Sequence, residues 1–68
     1  MKFTKATKDF PVGVVYEAVG DFGSIDRVWI SKQVEGWKVV TFYKGQNMGK
    51  VRGFYSTLSL AKGSCLDF

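Results

Sequence analysis

The sequence predicts an α+β fold, an antiparallel sheet of about four strands with a short C-terminal helix. Three observations predict it. First, Arg27–Gln33 and Trp37–Tyr43 are strand-like runs on either side of a turn at Glu35-Gly36, and together they hold both tryptophans. β-Branched and aromatic residues dominate these runs and suit a pleated, half-buried surface. Second, Thr57 precedes Leu58, Ala61, Cys65 and Phe68, which share one stripe at helical spacing. Third, Gly and Asn cluster between the apolar runs, where reversals are needed. The chain of 68 residues makes one domain at most, spanning 1–68.

The central hairpin sets the faces. A bulged three-residue loop with Gly36 in the left-handed region asks nothing unusual of Glu35. It places Gln33 opposite Trp37, Ser31 opposite Val39, Ile30 opposite Val40 and Val28 opposite Phe42. One face then carries Val28, Ile30, Val40 and Phe42 as core, with Lys32 and Lys38 at the rim. The other carries Trp29, Ser31, Gln33, Trp37, Val39, Thr41 and Tyr43.

Residues Met1 to Asp9 alternate weakly and suit a short edge strand or a frayed arm. Pro11 fixes its own φ and extends Phe10. Val14–Val19 reads as a strand, with Val14, Tyr16 and Ala18 on one side and Val15, Glu17 and Val19 on the other. The run Gly20–Ser24 is dense in turn formers and ends it. Lys44–Lys50 is the next reversal, and Lys50–Tyr55 returns as a strand. Gly53 inside that strand suggests a bulge or a close approach. Thr57 is the expected N-cap of the final helix, and Gly63 weakens that helix by about 1 kcal/mol relative to alanine. The alternation of Leu58 and Leu60 also allows a last strand.

Composition excludes several function classes. There is no histidine to act as a base near neutral pH, and the single cysteine, Cys65, allows no internal disulfide. The six carboxylates are scattered. Enzymatic activity, a structural metal and a cofactor are therefore not expected. The glycine runs lack the lysine and spacing of a phosphate-binding loop. No stretch is apolar enough to span a bilayer, so no membrane partner is expected. No signal-peptide core follows the first residues, and a cytoplasmic setting is expected.

Net charge is +4 and uneven. Residues 1–26 hold three lysines against four acids, whereas 27–68 hold seven basic residues against two acids. In the expected register Arg27 lies opposite Tyr43. This defines a candidate binding set of Trp29, Trp37, Tyr43, Arg27, Lys50 and Arg52. Tryptophan, tyrosine and arginine are enriched at protein-contact hot spots. Rings and cations on a sheet also hold unstacked bases, so nucleic acid is the alternative partner.

Two resemblances add to this reading. Trp37-Lys38-Val39-Val40 with Gly45, Gly49, Phe54, Thr57-Leu58, Ala61-Lys62 and Cys65 resembles a hairpin–helix ending of small phage and prophage proteins. It covers about half the chain and departs at Leu60 and Gly63, where such helices carry Glu and Ala. The resemblance implies a phage-type accessory protein that binds or inhibits a host factor, placed in the host cytoplasm. Phe10-Pro11-Val12-Gly13-Val14-Val15-Tyr16-Glu17 resembles the entry to small SH3-like barrels, which implies the alternative all-β fold. The function expected is a non-enzymatic protein-binding module that meets a host protein or a second copy of itself.

Overall fold

Among the described residues, five antiparallel strands follow one another as a meander, and one short helix comes after them. The computed structural model describes residues 2–7, 9–11 and 13–65. The strands are β1 (Thr4–Lys5), β2 (Val14–Phe22), β3 (Ile25–Gln33), β4 (Gly36–Tyr43) and β5 (Gly49–Tyr55), and the helix is α1 (Leu58–Ser64). The α+β class holds, with five strands rather than about four. The extra strand is β1, where Thr4 pairs with Glu17 and Lys5 with Tyr16.

The β3–β4 register differs from expectation by one residue. Gln33 pairs with Gly36, Lys32 with Trp37, Ile30 with Val39, Val28 with Thr41 and Arg27 with Phe42. The loop is therefore Val34-Glu35, and neither residue has a positive φ. Because side chains alternate along a strand, a one-residue slip turns all of β4 over. Val39 and Thr41 face the core, whereas Val40 and Phe42 face away from it. Gly36 is glycine for a tertiary reason as well as a local one. Its φ is +148°, and an added Cβ would overlap the Tyr55 carbonyl oxygen at the end of β5.

The core is Ala18, Ile25, Val28, Ile30 and Val39 from the sheet, capped by Ala61 from α1 and by Cys65 at its C-cap. Tyr16, Trp37, Tyr43, Tyr55 and Leu58 pack around it. Val28, Ile30 and the Leu58/Ala61/Cys65 stripe take their expected places; Phe68 lies outside the described residues. Thr57 caps the helix as expected, with extended backbone and its hydroxyl accepting the Leu60 N–H at 3.2 Å. Gly63 does not end the helix, which runs on to Ser64.

Irregularities re-aim several residues. In β2 the register shifts between Val14 and Tyr16. Val14 consequently pairs with Ser31 on the face away from the helix, rather than sharing a side with Tyr16 and Ala18. A second shift precedes Phe22, and the strand continues through Gly20 and Asp21 before turning at Gly23-Ser24. In β5 the expected disturbance at Gly53 is found: Val39 pairs with Gly53 and Val40 with Val51, so the register shifts at Arg52.

Candidate functional site

The helix covers one face of the sheet, and among the described residues no helix or strand covers the other. On the uncovered face Glu17, Trp29, Phe42 and Val40 lie on adjacent strands, and Val51 and Phe54 extend the surface onto β5. Phe10 reaches in from the segment between β1 and β2. Its ring centroid lies 5.5 Å from that of Trp29, and Trp29 meets Phe42 edge-on at 4.7 Å. Such tilted arrangements match the ring quadrupoles.

Polar groups fix the tryptophan. Its indole N–H donates to Glu17 Oε2 at 2.8 Å, and Arg27 Nε lies 4.0 Å from the same oxygen. The Arg27 guanidinium also sits 5.6 Å from the Phe42 ring centroid. Across the strand pair Phe42 faces Gly49, where an added Cβ would come within 2.8 Å of the Phe42 ring. Gly49 thus leaves room for the Phe42 ring and for Val40.

Beside these rings is an open hollow of about 330 Å³. Pro11 and Val14 bound one side, Gly49 and Val51 the other, and Trp29, Ser31, Val40 and Phe42 form its floor. Gln33 and Lys38 close the end near the hairpin turn. Gln33 also lines a second hollow of about 450 Å³ with Val34, Glu35, Trp37, Phe54 and Tyr55. Phe54 is 68% exposed and Val51 49%. Both stand on the uncovered side of β5, opposite Val40 and Lys38.

The six residues singled out from the sequence do not form one constellation. Trp29 and Arg27 belong to the uncovered face. Trp37 and Tyr43 lie on the helix-bearing side and pack against the core. Arg27 pairs with Phe42, and Tyr43 with Ile25. The two tryptophans are therefore on opposite sides of the sheet, a direct result of the register. Trp37 carries the Lys32 ammonium 5.0 Å above its ring. Lys50 pairs with Thr41 and so stands at the helix-bearing side of β5. Arg52 lies near enough to Cys65 to act on its thiol.

Sequence reasoning missed Phe10, Glu17, Val40, Phe42, Val51 and Phe54. The signal for Glu17 was present, as an acid alternating with valines in β2. Phe42 and Val40 were assigned to the core because β4 has apolar residues at both parities. Among the described residues, no group of three or more His, Cys, Asp or Glu comes together to hold a metal ion. Among the same residues, no helix is long and apolar enough to cross a membrane. Comparison with known proteins gives no match to a family model, a curated protein or a solved structure.

Proposed function

We propose that this chain is a non-enzymatic protein-binding module whose contact surface is the uncovered sheet face. The observation that supports it is the Phe10–Trp29–Phe42 ring cluster beside an open hollow, with Val51 and Phe54 exposed along the margin. Single exposed apolar residues need no explanation, but a contiguous aromatic patch on a domain this small marks an interaction site. Trp29 is held by Glu17 before any partner arrives, which lowers the ordering cost of binding.

Charge favours protein over nucleic acid as the partner of this face. Its cations are Arg27 and Lys38, and Arg27 lies close to Glu17. The resemblance of the hairpin–helix ending to small phage proteins supports a host factor as partner and inhibition as outcome, in the host cytoplasm. The alternative is a nucleic-acid module that stacks bases on Trp29 and Phe42 and follows phosphates with Arg27 and Lys38.

Affinity capture with the immobilised chain tests the proposal, using cells of the organism that carries it or of its host. Phe54→Ser on the uncovered face should abolish capture of a specific protein. Leu60→Ser, an exposed position on α1, should leave it unchanged. Loss with Leu60→Ser alone would refute the assignment. Binding that is to nucleic acid instead, and that falls steeply with salt, would favour the alternative.

A further inference from the structure

We infer that the hollow beside Trp29 receives the C-terminal residue of a partner protein, its apolar side chain on the rings and its free carboxylate on Lys38. This rests on the protein-binding reading above and names the group by which the partner is held. Four observations carry it.

The first is charge. Among the described residues that line the hollow, Lys38 is the one charged side chain, and no Asp or Glu stands with it. The ion pairs among the described residues are Arg27–Glu17 and Lys44–Asp21, and Lys38 belongs to neither. A half-buried ammonium in an acid-free wall favours an anionic group.

The second is a buried hydroxyl. Ser31 is only 5% exposed, and it lines the same hollow. It pairs with Lys38 across β3 and β4, and Gln33 follows two residues on, on the same face. No side-chain hydrogen bond among the described residues involves Ser31, Gln33 or Lys38. A buried hydroxyl ordinarily has a partner. Here the hollow is where one can reach it. Hydroxyl, amide and ammonium thus place donors at one end, and a carboxylate has about four lone-pair sites to accept them.

The third is the apolar remainder. Pro11, Val14, Trp29, Val40, Phe42 and Val51 form the rest of the lining. A ring or branched side chain laid there meets Trp29 and Phe42, which are already set edge-on to each other.

The fourth is size. The volume of about 330 Å³ is at the lower end of ligand sites, which run from roughly 300 to 1,000 Å³. It suits one residue rather than a helix or a strand. Neighbouring residues of an extended segment point to opposite sides, so an acid next to an apolar residue would not enter with it. A C-terminal residue carries both groups itself. A polyanion would need further cations along this face, and Arg27 there lies 4.0 Å from Glu17.

The test uses the full chain, ¹⁵N-labelled, and three probes: N-acetyl-phenylalanine, its uncharged amide, and N-acetyl-aspartyl-phenylalaninamide, which puts acid and ring on neighbouring residues. N-acetyl-phenylalanine should shift the Ser31 and Lys38 amides and the Trp29 indole N–H. Both other probes should bind at least about tenfold more weakly, since a charge-assisted hydrogen bond is lost. Lys38→Met should erase the preference for the acid, and Lys38→Arg should keep it. Equal binding of the acid and its amide would overturn the inference and leave the uncovered face standing as an apolar contact. Equal binding of the aspartyl probe would overturn the assignment to a chain terminus. Shifts confined to the helix-bearing side, around Tyr16 and Ala61, would place the acid elsewhere and overturn it. No shift at millimolar probe would also overturn it, and the protein-binding reading would then stand or fall by the Phe54→Ser capture alone.

Discussion

The indole N–H of Trp29 and the carboxylate of Glu17 meet at 2.8 Å across β2 and β3, and this bond holds the tryptophan within the ring cluster. Hydrogen bonds to an ionised group are stronger than neutral ones. Glu17→Ala is expected to cost about 1–2 kcal/mol of stability. Glu17→Gln keeps an acceptor and should cost less. Chemical denaturation gives the energies, and the Trp29 indole ¹⁵N–¹H signal should move in the alanine variant.

Gly36 and Gly45 both have positive φ but differ in surroundings. Gly45 has open space where a Cβ would go, whereas Gly36 faces the Tyr55 carbonyl. Gly45→Ala should therefore cost only the conformational penalty, about 1 kcal/mol. Gly36→Ala adds an overlap with backbone and should cost about 2–4 kcal/mol. Equal melting temperatures for the two variants would show that β5 does not approach Gly36 closely.

Two substitutions probe the helix. Gly63 has nothing within 4 Å of an added Cβ, so Gly63→Ala should raise stability by up to about 1 kcal/mol. Thr57→Ala removes the acceptor for the Leu60 N–H and should lower it by about 1 kcal/mol. Thermal melts of both variants check the signs.

The contrast between Gly36 and Thr57 explains what was legible. Thr57 acts on the residues just after it, so its role could be read locally, as could the Leu58/Ala61/Cys65 stripe. Val28 and Ile30 alternate with Arg27 and Trp29, which identified the inward side of β3. Gly36 was read as a turn residue, yet its closest constraint is Tyr55, on another strand. That non-local contact is invisible in a local pattern. Trp37-Lys38-Val39-Val40-Thr41-Phe42-Tyr43 then gave no independent check, because both parities contain large apolar residues. The resulting slip joined Trp37 to Trp29 in one candidate site and consigned Phe42 to the core. Only Trp29 and Arg27 of that set lie on the uncovered face.

Cys65 gives the pH-dependent outcome. Burial under α1 pushes its thiol pKa up, with weaker opposing effects from Ser64 and Arg52, and its Sγ lies 3.4 Å from the Ala61 carbonyl oxygen. The folded state favours the neutral thiol. Its contribution to stability is full below the thiol's unfolded pKa and is lost as pH rises through the higher folded value. Melting temperature should fall over that alkaline range, and Cys65→Ser should flatten the fall. Iodoacetamide should label the native protein far more slowly than the unfolded chain.

Which β4 residues face the core decides whether the uncovered aromatic face exists, and paired thermal melts of Val39→Asp and Val40→Asp test this most directly. Val39 is fully buried among Ile30, Ala61 and their neighbours, and Val40 lines the open hollow. A carboxylate at 39 would be buried without a partner, which a domain of this size cannot sustain. Val39→Asp is expected to abolish the folding transition. Val40→Asp is expected to fold with a loss of no more than about 1 kcal/mol. A folded Val39→Asp beside an unfolded Val40→Asp would contradict the register and remove the proposed contact face with it.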